Sequence, residues 1–526
     1  MPLALRRAGC ALAAVLSTLV LAAPAGAVES SVAVSDGANG AKRLTYRIGP
    51  FDIIPGQNEI NNRLIDQKPA VDGWITRIRP DLIYTSGKIP GVDKIHLHHG
   101  VWANLSRNGS GSPFAELFFA AGEEKTVMRI PEGFGYEYKA SDTWLLNHMI
   151  HNLTPVPTQV HMVYEIDFIP KTSPRARAIE PVHPIWMDVE GGKIYPVFDV
   201  EKGAGRKGRY TYPNDDPQAY DGGRRRNEWV ANRDGVLVAT AGHLHPGGLY
   251  NDLWVRRAGA RVAKVSCSSK GKAPARRRCR REAPRGRGAN AHLFRSKAKY
   301  FEPAGAVSWD VAMTGTPQDW RVKVRKGDTL WTSATYDTER AAWAESMGIM
   351  VVYMAESGPG KDPFKKRVNH PGRPTHGHLP ENNNHGGKTT PLPDPRKLPD
   401  GTTPTAGVDV VNFKYTLGDL SLTGAGGLPP VVPQGQSLSF RNADDDRRIY
   451  HSITSCKAPC NRSTGIAYPI ADGPVQFESG TLGTDAPSTT GNGALQWQTP
   501  NNLDAGTYTY FCRIHPFMRG AFRVKK

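Results

Sequence analysis

After the first 27 residues, this 526-residue chain has no apolar run long enough to span a bilayer. It also lacks long helical periodicities, while its 55 Gly and 42 Pro supply many turns. Sheets are therefore expected rather than helical bundles. Cysteine is scarce, with six residues in all. Acidic residues are outnumbered 49 to 67 by Lys and Arg, giving a formal net charge of +18. No nucleic-acid-binding motif accompanies that charge, so nucleic acid is not an expected partner. At about 150 residues per domain, the length implies three or four domains.

Residues 1–27 read as a cleaved signal peptide. Arg6 and Arg7 precede the apolar run Ala11–Ala23, and Ala25-Gly26-Ala27 has the form of a cleavage site. A membrane anchor is the weaker alternative, because the run is short and a cleavage site follows it. The expected location is secreted or extracytoplasmic, in an oxidising compartment. Cys10 leaves with the signal. Cys267 with Cys279, and Cys456 with Cys460, are expected to form disulfides. For Cys456-x3-Cys460 a metal or redox pair stays open. Cys512 is left over and needs a partner or a task. Eight Lys/Arg and one acid fall between Gly271 and Gly288. They read as a solvated loop, with contact to a polyanion as the alternative.

The fold class expected is all-β: two tandem, jelly-roll-like β-sandwiches followed by a Greek-key sandwich. The first covers 41–200, with strands at Lys125–Ile130 and Gln159–Ile169. In the latter, Val160, Met162, Tyr164, Ile166 and Phe168 share a face. The second covers 201–357, with strands at Gly235–Ala241, Leu253–Val255, Arg321–Val324 and Gly348–Met354. Residues 358–405 read as a linker rich in Pro, Gly, Asn and His. Its His370, His376, His378 and His385 either hold metal loosely or are incidental. Residues 406–526 form a small β domain, with strands at Val408–Tyr415, Ser437–Arg441, Leu495–Gln498, Gly506–Cys512 and Gly520–Val524.

The segment Tyr508-Thr-Tyr-Phe-Cys512-Arg-Ile-His515-Pro-Phe-Met518-Arg-Gly520 carries the sharpest signal. A type 1 (blue) copper centre needs one thiolate, two imidazoles and a weak thioether. Cys512, His515 and Met518 supply three of these from one turn between strands, and His451 in Tyr450-His451-Ser-Ile-Thr is the candidate fourth. These residues resemble the cupredoxins, and the loop looks most like that of the amicyanins in the plastocyanin-like group. The resemblance covers about 120 residues. The long stretch between His451 and Cys512 departs from it and implies an insertion. Phe511 and Arg513 flank Cys512 where a multicopper oxidase needs histidines, which excludes a trinuclear cluster fed directly from that cysteine.

Three histidine clusters precede Cys267: His96-Leu-His98-His99, His148-Met-Ile-His151, and His243-Leu-His245. In a strand, residues i and i+2 share a face, so His243 with His245, or His96 with His98, can chelate one ion. Adjacent His98 and His99 can do so only near a strand end or a bulge. Residues 41–357 resemble the type II copper, ascorbate-dependent monooxygenases, of the peptidylglycine α-hydroxylating kind. That resemblance implies an electron-transfer copper on His98, His99 and His151. It also implies a dioxygen-binding copper on His243, His245 and Met347. His96, His148 and His161 are rivals or supporting groups. Ala241 stands where the family's peptide-processing members have an arginine, and Ile349 and Val351 replace polar groups, so a peptide carboxylate is not expected as substrate.

The expected cofactors are thus one type 1 copper and two further mononuclear coppers. The expected partner is a redox protein or a small-molecule reductant. No catalytic residue is assigned and the substrate is not legible. The expected function is an exported copper redox protein whose larger module oxidises a substrate with dioxygen. The alternative is a non-enzymatic electron carrier whose larger module is scaffold or copper store.

Overall fold

A computed structural model describes residues 32–526 except 55–59, 93, 111–113, 155, 192–195, 201–202, 217–226, 261–264, 269–277, 282–288, 302–309, 340–342, 380–391, 445–448, 457, 459–475, 481, 485–493, 513–514 and 516. For 199, 265–268, 278–281, 344 and 345 it describes the backbone alone. The expected signal peptide, most of the basic loop, His385, Cys460 and most of the expected insertion before Cys512 lie outside the described residues.

The chain is all-β, its described helices being short 3-10 turns. Among the described residues no helix is long and apolar enough to cross a membrane. In the first block, Thr158–Pro170 lies antiparallel between Lys42–Ile53 and Gly73–Tyr84. Its Val160, Met162, Tyr164, Ile166 and Phe168 are buried, as the alternation requires. The facing sheet runs Ile60–Ile65, Trp144–Asn152, Ile95–Asn104, Glu116–Gly122. Trp102, Phe118, Tyr136, Trp144 and Tyr164 fill the space between. Each such ring contributes at most about 4–6 kcal/mol of apolar burial.

In the second block, Ile349–Ala355 runs antiparallel between Glu180–Asp188 and Gly235–His243. Gly248–Arg256 lies antiparallel between Asn290–Tyr300 and Thr329–Asp337. Leu237, Leu253, Phe294, Trp320 and Met350 fill its core. The two blocks are not separate bodies joined near residue 200. Glu180–Asp188 also pairs in parallel with Phe134–Tyr138, so one 17-stranded sheet runs through both. Val236, Val238, Ile349 and Tyr353 belong to the same core cluster as the first block's aromatics.

Residues 408–526 form two four-stranded sheets. One holds Val408–Val411, Lys414–Tyr415, Ser439–Asn442 and Gln496–Gln498, the other Val431–Pro433, Thr454–Cys456, Gly506–Phe511 and Arg519–Lys525. Tyr415, Phe440, Tyr510 and Phe522 are buried between them. This unit packs on the larger body: Phe511 and Cys456 cluster with Val92, Leu153 and Leu244.

Three expectations change, the first being that the strand expected at Val408–Tyr415 is a hairpin of Val408–Val411 and Lys414–Tyr415, turning at Asn412 and Phe413 with φ 50° and 58°. The strand expected at Lys125–Ile130 is only Met128–Arg129, because Lys125 has φ 45° and closes a turn after Gly122. The expected linker is partly laid onto the second block. Arg373–Pro374 pairs with Val311–Gly315, and the Trp320 indole donates to the Val368 carbonyl at 3.2 Å. Backbone pairing of this kind leaves no apolar periodicity to read.

Cys267 and Cys279 face each other across the antiparallel pair Val265–Ser268 and Arg278–Arg281. That register sets their Cα atoms within disulfide range, about 4.5–5.5 Å. Among the described residues Cys512 is the free cysteine.

Candidate metal centres

The antiparallel pair Gly506–Phe511 and Arg519–Lys525 closes at Phe511 opposite Arg519. The turn beyond is pinned from within: the Cys512 amide donates to the Met518 carbonyl at 3.1 Å, and the Met518 amide to the His515 carbonyl at 2.9 Å. His451 arrives from another part of the sandwich, through backbone bonds in both directions with Leu482. Cys512 Sγ then lies 3.8 Å from His451 Nδ1 and 3.6 Å from His515 Nδ1, with the two nitrogens 3.2 Å apart. An ion about 2.0 Å from two nitrogens and 2.3 Å from a sulfur would hold such donors roughly 3.3–3.8 Å apart. The donor set thus fits one soft-to-borderline metal ion. All three side chains are fully buried, and Met518 is buried beside Cys512 in the same core cluster.

The surroundings orient this set. Asp444 Oδ2 accepts from His451 Nε2 at 3.0 Å, which leaves Nδ1 to face the thiol. Asp444 is itself fixed by the amides of Asn412 at 2.7 Å and Phe413 at 3.1 Å. Both of those residues have left-handed backbone, φ 50° and 58°. The Ser452 amide donates to Cys512 Sγ at 3.3 Å. The Phe413 ring stands edge-on to His515, centroids 5.0 Å apart. Burial alone would raise the Cys512 thiol, but His515 and His451 hold it well below the ordinary value. Burial would lower His451, but Asp444 and Cys512 raise it. The thiolate form that binds metal is therefore favoured.

A second cluster lies in the larger body. Strands Ile95–Asn104 and Trp144–Asn152 pair antiparallel, placing His96 opposite His151, with a register shift between Leu97 and His99. His98 occupies that irregularity, which meets the condition for adjacent histidines to approach one site. From the second block come His243, at the end of its strand, and His245. The His98 and His245 rings stand 4.3 Å apart, and those of His243 and His245 5.1 Å apart. Glu123 and Glu124 complete the cluster. His98 Nε2 is 3.7 Å from Glu123 Oε1, and His243 Nδ1 is 2.9 Å from Glu124 Oε2. Glu124 also accepts from the Gly122 amide at 3.0 Å. A Cβ on Gly122 would lie 2.5 Å from the His243 ring, so only glycine admits this approach.

The donors do not group as the two expected trios. His98, Glu123 and His245 have ligand atoms within 4.8 Å of one another, as do Glu123, Glu124 and His243. His99 Nε2 bonds Asn147 Oδ1 at 3.0 Å. The His151 ring lies 5.2 Å from His96 and 6.1 Å from His98. Met347 is buried in the core shared by the two blocks. Its backbone is tied to the His245 amide through the Tyr336 hydroxyl. His148 packs on Phe51, and His161 bonds Arg47 away from the cluster. Burial lowers His98 well below its usual value, His96 to about 4 and His99 to about 3, so these rings are neutral near pH 7, the form that binds metal.

A cavity of about 510 Å³ reaches His243. Phe119, Val127, Ala241, Ile349 and Val351 give it an apolar wall, and the strap Arg373–Thr375 covers one side. His376 on that strap bonds the Glu124 carbonyl, and His378 pairs with Asp310.

Glu123, Glu124 and Asp444 escaped sequence reasoning. The one available signal was an acidic doublet directly after the apolar stretch Leu117–Gly122, where a polar turn is the ordinary reading. Asp444 was masked by Asp445 and Asp446 beside it.

No protein-family model matches the chain, and no curated protein matches it. Among solved structures, a purple cupredoxin from Nitrosopumilus maritimus is 21% identical over 24% of this chain and 100% of its own, with a TM-score of 0.14. A copper-containing nitrite reductase from Thermus scotoductus SA-01 is 13% identical over 55% of this chain and 57% of its own, at TM-score 0.15. Hazelnut vicilin is 7% identical over 62% and 84%, at 0.12. At those scores the site rests on its own geometry.

Proposed function

We propose that the chain is an extracytoplasmic copper redox protein whose C-terminal sandwich is a cupredoxin-like electron carrier. The carrying observation is the convergence of the buried Cys512, His451 and His515 donors at 3.2–3.8 Å. Met518, buried alongside, is the weak fourth donor of this reading. Copper held there would supply one-electron chemistry, cycling between Cu(II) and Cu(I). Soft sulfur and borderline imidazole suit both states. The protein's part is to fix the donors before metal arrives: Asp444 sets the His451 tautomer, Ser452 holds the sulfur, and the buried walls exclude water. A redox protein or small reductant would supply the electron.

The test is copper loading of the full chain beside Cys512→Ser. The reading requires an intense sulfur-to-copper absorption in the first and none in the second, with one copper equivalent lost.

A second reading, oxidation of a small molecule in the larger module, is favoured by the cavity that reaches His243. Its apolar wall is joined by the charged residues Arg129, Asp319 and Arg373. The resemblance to copper monooxygenases supports the reaction class, while the mixing of donors across the two blocks departs from its ligand trios. Oxygen uptake with ascorbate that vanishes in His243→Ala supports this reading. No uptake over a broad substrate panel favours the non-enzymatic alternative.

A further inference from the structure

We propose that His98, Glu123 and His245 form a second metal centre built across the two sandwiches, taking one divalent first-row transition ion. The ligand atoms of this trio lie within 4.8 Å of one another. Two come from the first block and one from the second, so the site exists only when the blocks are packed together.

The carboxylate of Glu123 carries the argument. Its side chain is fully buried, and neither oxygen has a hydrogen-bond partner from another described residue. The nearby cation, Lys125, is engaged with Asp81 at 2.8 Å. An ionised carboxylate in such a place costs several kcal/mol unless a cation compensates it. Glu124, next in sequence and also buried, places a second carboxyl there, hydrogen-bonded to His243 Nδ1 at 2.9 Å. Nδ1 of His98 and Nε2 of His243 are likewise buried with no hydrogen-bond partner among the described residues. One metal ion between Glu123 Oε1 and His98 Nε2, which lie 3.7 Å apart, would compensate the buried carboxylate.

The donor types narrow the ion. Two imidazoles and one carboxylate with no sulfur form the set used by open-sited divalent metals, non-haem Fe(II) among them. Three protein donors leave coordination positions free, and the cavity at His243 gives a small molecule access to that neighbourhood. Glu124 is a positioning residue: by accepting from His243 Nδ1 it fixes that ring beside the trio. This centre is independent of the Cys512 turn and does not rest on its copper reading.

The experiment uses the full-length chain with Cys512→Ser, which removes the thiolate site, and Zn(II) as the probe. After metal stripping, equilibrium dialysis with metal analysis should find about one zinc retained per chain, with an upward shift of the thermal midpoint. Adding Glu123→Gln, an isosteric change that removes the buried charge, should weaken zinc binding at least about tenfold and abolish the shift, with circular dichroism unchanged. His98→Ala should do the same. Unaltered zinc retention in both variants, or none in the folded Cys512→Ser protein, would overturn the proposal. Copper-dependent visible absorption of the chain carrying Glu123→Gln alone should match the parent, separating failure here from failure at Cys512.

Discussion

The imidazole of His151 stands edge-on to that of His515, ring centroids 6.1 Å apart and planes at 84°. This contact joins two donor clusters that are 364 positions apart in sequence, taking 515 minus 151. It binds the C-terminal turn to strand Trp144–Asn152, and through it to His98.

Replacing His151 by Phe keeps an aromatic edge at that contact but removes its nitrogens. The variant should keep the C-terminal copper and its visible absorption. It should slow reoxidation of the reduced centre through the larger module by about tenfold, equivalent to about 1.4 kcal/mol. Stopped-flow absorbance measures both. Unchanged reoxidation would remove His151 from the connection.

Asp444 bears on copper chiefly by orienting the His451 ring. Asp444→Asn should weaken copper binding by about 10–100-fold while leaving the absorption band in place. Competition with a copper chelator reads the loss. Equal affinity would mean that His451 needs no carboxylate to hold its orientation.

Tyr336 acts on the fold beneath the second cluster. Its hydroxyl accepts from the amides of His245 at 3.2 Å and Met347 at 3.0 Å, and donates to the Met347 carbonyl at 2.7 Å. Tyr336→Phe leaves these buried groups short of a partner and should cost about 3 kcal/mol. A lowered thermal midpoint of the metal-free protein is the check.

Acid sensitivity has a nameable contributor. Burial pushes the Asp252 carboxyl up, but hydrogen bonds from His292 and Arg295 outweigh it and hold it below the ordinary value. A carboxylate depressed in the folded state adds stability above its unfolded pKa of about 3.9, and that stability is lost as pH falls through the folded value. Asp252→Asn should therefore be less stable at pH 7, and the gap should close below about pH 4. Thermal midpoints over that range test it.

The C-terminal site was legible because its chemistry is local. Cys512, His515 and Met518 share one turn, and a thiol left over once the other cysteines are expected to pair asks for a task. His451 could be placed by its Ser-Ile-Thr context but not by distance. The histidines of the larger body were legible as donors and not as a grouping. Their neighbours depend on the bulge at His98 and on how the Glu180–Asp188 strand joins the two blocks, both properties of pairing over long separations. Glu123 could not be singled out, since an acidic doublet after a strand is ordinarily a solvated turn. Val368 and Arg373–Thr375 looked like linker because Pro and Gly dominate around them, yet they cover a core and a cavity.

The central claim is that one copper ion sits between Cys512, His451 and His515. Metal analysis with visible and electron paramagnetic resonance spectra of the copper-loaded full chain tests it most directly. An intense charge-transfer band is expected, with one Cu(II) signal whose small hyperfine splitting reflects a thiolate bond, both lost in Cys512→Ser. A colourless loaded protein, or a band that survives that substitution, would contradict it.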